Sequence, residues 1–401
     1  MPERPAQSEA LALRAGWVWC GPGELRPGAW VVLERGRIRE VAESPPSGCK
    51  RRDLGQGLLL PGLVNAHTHL ELSFLAGLVP PAGDFVEWVE RLVRSRPGYD
   101  RGGAARAARE AAAQAARAGT VLAGDISNTG KAAWAWQEAG VSALTFIEAL
   151  GPARSEPPRP HSRWQGRVLE AVSVAAHAPY SVPDWRLREL KQRAGSGVFC
   201  IHLAESRAEV EFFAGRGEQG RRLEQFLEKR GLLRSELGLR APRPLAHLEA
   251  LGLVDRHTLT VHGVQLTPQE MERLARAGAS LCLCPRSNLG LTGSLAPLPR
   301  LLRAGVNLAL GTDSLASAPD LSLWPEMALL HQRFPQVEPE AILGMATLGG
   351  AWALGLEEHF GRLAPGRLGP VLFLPLEAAG GEEALAAAVA GRHAGPPRLV
   401  G

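Results

Sequence analysis

The chain has 401 residues, 45% of them hydrophobic, and a formal net charge of +4, enough apolar material for a large α/β domain with an appendage or for two to three smaller domains. Its lysines stand only at positions 50, 131, 191 and 229 and its arginines form no dense run, so neither a nucleic-acid nor a membrane surface is expected. Nowhere do eighteen apolar residues run together, and Glu3 and Arg4 precede only a short Ala/Leu stretch, so a cytoplasmic protein is expected.

From about residue 10 to 57, short apolar runs (17–20, 30–33) alternate with turn residues such as Gly21-Pro22-Gly23 and lead into Gly36-Arg37-Ile38-Arg39-Glu40-Val41. This reads as a small β unit. After Pro61 the texture changes to apolar strands that end in polar residues, separated by Ala/Arg/Leu-rich helical stretches such as 104–118. Repeated βα alternation predicts a parallel sheet. The strand candidates are 58–70, 120–126, 142–149, 171–176, 198–203, 258–264, 279–284 and 306–312, and eight of them predict a (β/α)8 barrel. The spacings agree: about 135 residues separate His67 from His202, which is four units of ~34, and 51 separate His262 from Asp313, which is two.

The sixty residues between His202 and His262 exceed one unit; the surplus is the charged helical stretch 214–246, readable either as a lid over the barrel mouth or as a solvated helix pair. Beyond Arg362 the chain returns to short apolar strands (370–374) that can rejoin the N-terminal β unit. The expected organisation is therefore a small β-sandwich built from residues 1–57 and 362–401 around a barrel of residues 58–361. Pro157-Pro158-Arg159-Pro160 is the one linker-like tract. Five cysteines, an odd number without C-x-x-C spacing, predict reduced, buried thiols.

His67 and His69 close the apolar run that begins at Leu58, and because a strand repeats every two residues both rings reach one point. Eleven histidines in 401 residues would give one H-x-H roughly 0.3 times by chance, so the pair alone is a weak metal signal. Four further strand ends supply the context: His177 in His-Ala-Pro-Tyr-Ser, His202 and Glu205 in His-Leu-Ala-Glu-Ser, His262 in Val-His-Gly-Val, and Asp313 in Gly-Thr-Asp-Ser. In a barrel all strand ends converge on one mouth. Three imidazoles and a carboxylate around a divalent ion leave a position for water, whose pKa then falls towards neutrality, which is hydrolytic chemistry.

These residues resemble the amidohydrolase superfamily, and within it the aminohydrolases that deaminate cytosine, guanine, adenosine analogues and S-adenosylhomocysteine or dechlorinate triazines. The resemblance covers nearly the whole chain. It rests on Pro61-Gly62-Leu63-Val64-Asn65-Ala66-His67-Thr68-His69, the His202/Glu205 pair, His262, Cys284-Pro285-Arg286-Ser287-Asn288, Asp313, and terminal motifs including Gly36-Arg37-Ile38 and Leu363-Ala364-Pro365-Gly366. One departure is Leu368-Gly369-Pro370-Val371, where the family usually has Ala-Asp before its next strand; it touches the β unit and not the site.

Carried over position by position, the resemblance implies one divalent ion, zinc by the donor set with iron or manganese accessible to the same ligands, held by His67, His69, His202 and Asp313. A single ion is favoured because two-metal members usually bridge theirs with a lysine ending the fourth strand, and residues 171–182 contain none. His262 is implied to hold or polarise the attacking water, Glu205 to shuttle the proton, and Asp313 to accept the water's proton as well as binding the metal. His177, Glu71, Arg286, Ser287, Asn288 and Trp88 are candidate substrate contacts, although Ser and Asn also close turns and Trp88 has the helical spacing of a core residue. A homodimer is implied only by the family.

The implied reaction is hydrolytic deamination of an aromatic amine, an adenine-type base or nucleoside. Attack on an amidine-like ring carbon needs the ring nitrogen protonated, and a carboxyl group beside the water can donate that proton. The His-Thr-His-Leu-Glu-Leu-Ser opening is similar to the aminodeoxyfutalosine deaminases of menaquinone biosynthesis. Hydrolytic dechlorination and cyclic-amide opening are rivals on the same scaffold. A non-catalytic binding protein on a decayed barrel is a rival of another class, and the intact ligand and acid-base set argues against it.

Overall fold

The computed structural model of the protein describes residues 10–80, 83–95, 101–153 and 156–401. Eight parallel strands follow one another around a single sheet: β1 (Leu63–Thr68), β2 (Thr120–Ser127), β3 (Ser142–Ala149), β4 (Val168–Ala176), β5 (Phe199–Leu203), β6 (Thr258–His262), β7 (Ser280–Leu283) and β8 (Asn307–Leu310). Every residue of β1, β5, β6 and β7 is buried, as befits strands covered on both faces. The expected α/β barrel with small terminal sheets is the fold that forms.

The ring closes between β1 and β8 just beyond the end of β8. The N–H groups of Thr312 and Asp313 both donate to the carbonyl oxygen of His67, at 3.0 and 3.1 Å, and Thr68 bridges Asp313 in parallel register. Below this point, fully buried Asn65 donates to Thr312 Oγ1 at 2.8 Å and accepts from Thr312 N at 3.2 Å.

The first strand expected, 58–70, is two. Leu58–Pro61 runs antiparallel to Val371–Leu374 in a five-stranded terminal sheet, and only after Gly62 does the chain enter the barrel as β1. The crossing brings the backbone against β2 so closely that a Cβ on Gly62 would lie 2.3 Å from Val121 Cγ1, which explains a glycine at the switch. A four-stranded sheet (Leu11–Arg14, Trp30–Glu34, Arg37–Ala42, Lys50–Asp53) faces the five-stranded one. Leu13, Val31 and Leu33 from one and Val18, Leu59 and Phe373 from the other share a core.

Between β3 and β4 the chain forms not a helix but a short strand, His161–Gln165, antiparallel to the start of β4. The preceding Pro157-Pro158-Arg159-Pro160 lacks the N–H groups a helix needs. The long insertion after β5 contains helices Arg207–Ala214, Glu218–Glu228 and Pro244–Ala250. Leu223, Phe226 and Leu227 bury one face of the second helix in a cluster with Phe85, Val86 and Tyr180, while Arg222 pairs with Asp84 at 2.5 Å. The charged stretch is thus amphipathic, packed on the segment that follows β1. All five cysteines are free, and no helix among the described residues is long and apolar enough to cross a membrane.

Asn65→Ala would remove both side-chain hydrogen bonds to Thr312 at the closure and leave a gap in a fully buried polar pair. A loss of about 2 kcal/mol in unfolding free energy, read from the denaturant midpoint, is expected.

Candidate active site

Four imidazoles converge at the barrel mouth. The ring of His67 lies 4.9 Å from those of His69 and His202 and 5.8 Å from that of His262, centroid to centroid. His67 and His69, two residues apart at the end of β1, thus bring their rings to one point. Asp313 stands on the open side, its Oδ1 3.5 Å from His69 Nε2 and 3.9 Å from His67 Nε2. His67, His69 and Asp313 place ligand atoms within 4.8 Å of one another, and so do His67, His202 and His262.

A divalent ion fits this donor set. His67 is fully buried, and neither of its ring nitrogens has a hydrogen-bond partner, a costly condition that coordination would relieve. Burial, reinforced by the neighbouring imidazoles, holds His67 well below its ordinary pKa and His262 down to about 3, so both are neutral at pH 7, as ligation requires.

The carboxylate of Asp313 is fixed from behind. Ser287 Oγ and Ser317 Oγ donate to its Oδ2 at 2.6 and 3.0 Å, and Ser314 N donates to Oδ1 at 2.8 Å. Burial works to raise its pKa, but His69 and His262, with the Ser287 hydroxyl, prevail and keep it below its usual value. Asn288, fully buried, donates from Nδ2 to His262 Nδ1 at 2.9 Å, which leaves Nε2 to carry the ring proton. That Nε2 lies 2.9 Å from His202 Nδ1 and 3.6 Å from Glu205 Oε1.

Glu205 is the carboxyl of the set that keeps its proton. Burial pushes it up to about 8, with Asp313 and Glu209 adding to the rise against His202, so it holds a proton at neutral pH. Backbone strain gathers at the same place: Ala204, His262 and Asp313 adopt φ of 50°, 77° and 59°, and among the described residues only Arg35 shares that non-glycine conformation. Each costs on the order of 1–3 kcal/mol, and each lies where a strand hands over to the mouth.

The other sequence candidates divide. The His177 ring lies 5.4 Å from that of His202, with Nδ1 2.6 Å from Ser181 Oγ. Glu71 is taken up by Ser127 and by Thr129, whose N and Oγ1 donate to it at 3.1 and 3.0 Å, so it ties the exit of β1 to that of β2. Arg286, expected to contact substrate, turns away from the cluster: its guanidinium is bound by Glu326 Oε1 at 2.7 Å, by both carboxylate oxygens of Asp320 and by Ser322 O. Its fork has found its carboxylates inside the protein. Trp88, another expected contact, packs with Leu72, Leu75, Leu291 and Ala316, because its helix turns its apolar stripe inward. Asn288 and Ser287, also candidate contacts, hold His262 and Asp313.

Sequence reasoning missed Glu148, at the end of β3. Its Oε1 lies 3.5 Å from His202 Nε2 and its Oε2 accepts from Asn128 Nδ2 at 2.8 Å. Burial works to raise its pKa, but the imidazoles of His202 and His177 prevail and hold it well below the carboxylate range; His202 is raised in return. The strand-end rule that singled out His202 and His262, applied to 142–149, would have found it.

Comparison with known proteins gives a consistent picture. The model of the amidohydrolase family matches residues 58–375. A 5-methylthioadenosine/S-adenosylhomocysteine deaminase of Syntrophobacter fumaroxidans is 32% identical over 380 residues, covering 86% of this chain and 79% of that protein. Helicobacter pylori aminofutalosine deaminase in complex with methylthio-coformycin has the same fold, with a TM-score of 0.81 at 22% identity over 95% of this chain and 96% of that one. So does an adenosine deaminase from Xanthomonas campestris with bound zinc, with a TM-score of 0.75 at 24% identity over 99% and 94%.

The donor geometry makes metal content the direct check. His67→Ala should bring bound metal to background by elemental analysis, and Ser287→Ala, which frees one oxygen of Asp313, should weaken metal affinity about tenfold.

Proposed function

From the premise that the chain belongs to the amidohydrolase family, we propose that it is a metal-dependent hydrolytic deaminase of an adenine-type nucleoside. In this reading His67, His69, His202 and Asp313 hold one divalent ion, zinc by the donor set. When bound, the ion acts as a Lewis acid that makes a water nucleophilic at neutral pH.

The protein's own groups then move the protons. Asp313 takes one proton from the water as its oxygen adds to the amine-bearing ring carbon, while Glu205 gives its proton to the adjacent ring nitrogen. His262, neutral and fixed by Asn288, orients the oxygen through Nε2. On collapse, Asp313 passes its proton to the amine nitrogen, Glu205 recovers one from the new hydroxyl, the C–N bond breaks and ammonia leaves.

The observation that carries this reading is Glu205, a buried carboxyl pushed up to about 8 and 3.6 Å from His262, protonated where the ring nitrogen needs a donor. Loss of chloride or opening of a cyclic amide is the alternative use of the same water. A pre-protonated acid favours the amine, which leaves only after gaining protons.

The name of the 32%-identical relative supports 5-methylthioadenosine and S-adenosylhomocysteine as first substrates. The His67 to Ser73 opening supports aminodeoxyfutalosine as a second candidate, which would place the enzyme in menaquinone synthesis.

Ammonia release by the metal-loaded protein from these three nucleosides, adenosine, guanine and cytosine tests the reading, and the highest kcat/KM is expected for a 5′-substituted adenine nucleoside. No release from any of them would refute it. Because the active form carries a protonated Glu205, kcat/KM should fall as pH rises through about 8. Glu205→Gln should keep its metal yet lose at least about a hundredfold in kcat.

A further inference from the structure

Glu205 is useful only if its carboxyl faces His262, and the chain has an unusual means of ensuring this. β5 ends at Leu203, and the chain turns through Ala204 at φ 50°. The Ala204 methyl carries no chemistry, so its strained conformation serves the residue that follows. Gly263 N fixes Leu203 O at 3.0 Å and Gln265 N fixes Ala204 O at 2.8 Å. The next N–H, that of Glu205, donates to Glu209 Oε2 at 2.9 Å.

Ser206-Arg207-Ala208-Glu209 reads as an ordinary capping box, in which the glutamate should return to the N–H of the serine. Thr267 and Glu270 of this chain do that: Glu270 Oε2 accepts from Thr267 N at 2.8 Å, and Thr267 Oγ1 accepts from Glu270 N at 3.3 Å. At the Ser206 helix only half of the box is regular. Ser206 Oγ accepts from Glu209 N at 3.3 Å, but the Glu209 carboxyl reaches past Ser206 to Glu205.

The displacement is costly. Glu209 is 1% exposed, its Oε1 has no hydrogen-bond partner, and no ion pair involves it among the described residues, whereas Glu270 is paired with Arg243 at 2.6 Å. A helix cap alone does not require such a burial.

We propose that Glu209 is a positioning residue for the deamination, a buried acceptor that holds the backbone of Glu205 so that its carboxyl meets His262 and the substrate. This rests on the reading of Glu205 as the proton donor.

Three variants test it: Glu209→Asp, one methylene too short to reach; Glu209→Gln, which keeps an acceptor oxygen; and Ser206→Ala, which removes only the regular half of the cap. Each is measured for kcat, KM, bound metal and amide hydrogen exchange at Glu205. Glu209→Asp is expected to lose tenfold to about a hundredfold in kcat, with KM within about threefold, metal unchanged and faster exchange at Glu205. Glu209→Gln is expected to stay within about threefold of the parent, and Ser206→Ala to lower the melting temperature with kcat retained.

Parental kcat and exchange in Glu209→Asp, or kcat losses of the same size in Glu209→Asp and Ser206→Ala, would overturn the proposal. If the parent itself deaminates nothing, the functional reading falls and exchange at Glu205 decides alone: faster exchange in Glu209→Asp supports the tether, and unchanged exchange refutes it.

Discussion

The carbonyl oxygen of His67 is where the barrel closes and where the site begins. By accepting from Thr312 N and Asp313 N at 3.0 and 3.1 Å, it joins the last strand to the first at the one level where a carboxylate must meet two imidazoles. A displacement of β8 by one residue would bring Ser314 there instead of Asp313, and the side chains on its faces would exchange. The buried Asn65–Thr312 pair lies just below and pins that register. Fold closure and ligand geometry are therefore one constraint.

Desolvation then assigns the chemical roles. The same buried mouth drives imidazoles neutral and carboxyls protonated, and the exceptions are the groups given a specific partner: Asp313 by the imidazoles and two serines, and Glu148 and His202 by each other. Glu205 lacks such a partner and keeps its proton. An ionised carboxylate and a protonated one thus coexist within a few ångströms of His262, which is what acid-base chemistry on an amidine requires. The strained residues Ala204, His262 and Asp313 reflect the same demand, since regular strand geometry would aim their neighbours elsewhere.

Much of this was legible in the sequence because the informative features are local. Eight apolar runs ending in polar residues, with His67, His69, His202, His262 and Asp313 among them, prescribe both the barrel and the convergence of those residues on its mouth. What stayed hidden depends on long-range partners. Nothing near Arg286 announces that Asp320 and Glu326, more than thirty residues on, will claim its guanidinium. Trp88 has a spacing that suits a core residue and a substrate contact alike, and its cover, Leu291 and Ala316, comes from far along the chain. The break at Gly62 is invisible as periodicity, because the residues on either side of it, 58–60 and 63–64, are all apolar and buried; only the pairing with Val371–Leu374 divides them. Glu148 was within reach of the strand-end rule.

On the proposed reading, a single ion held by this cluster makes the chain a nucleoside deaminase. The most direct measurement is to strip the protein with chelator, return zinc in graded amounts and follow deamination of S-adenosylhomocysteine or 5-methylthioadenosine at each step. Activity should rise in proportion to bound metal and saturate at one equivalent per chain. Metal bound at one equivalent with no deamination of either nucleoside, or deamination that persists in the stripped protein, would contradict that reading.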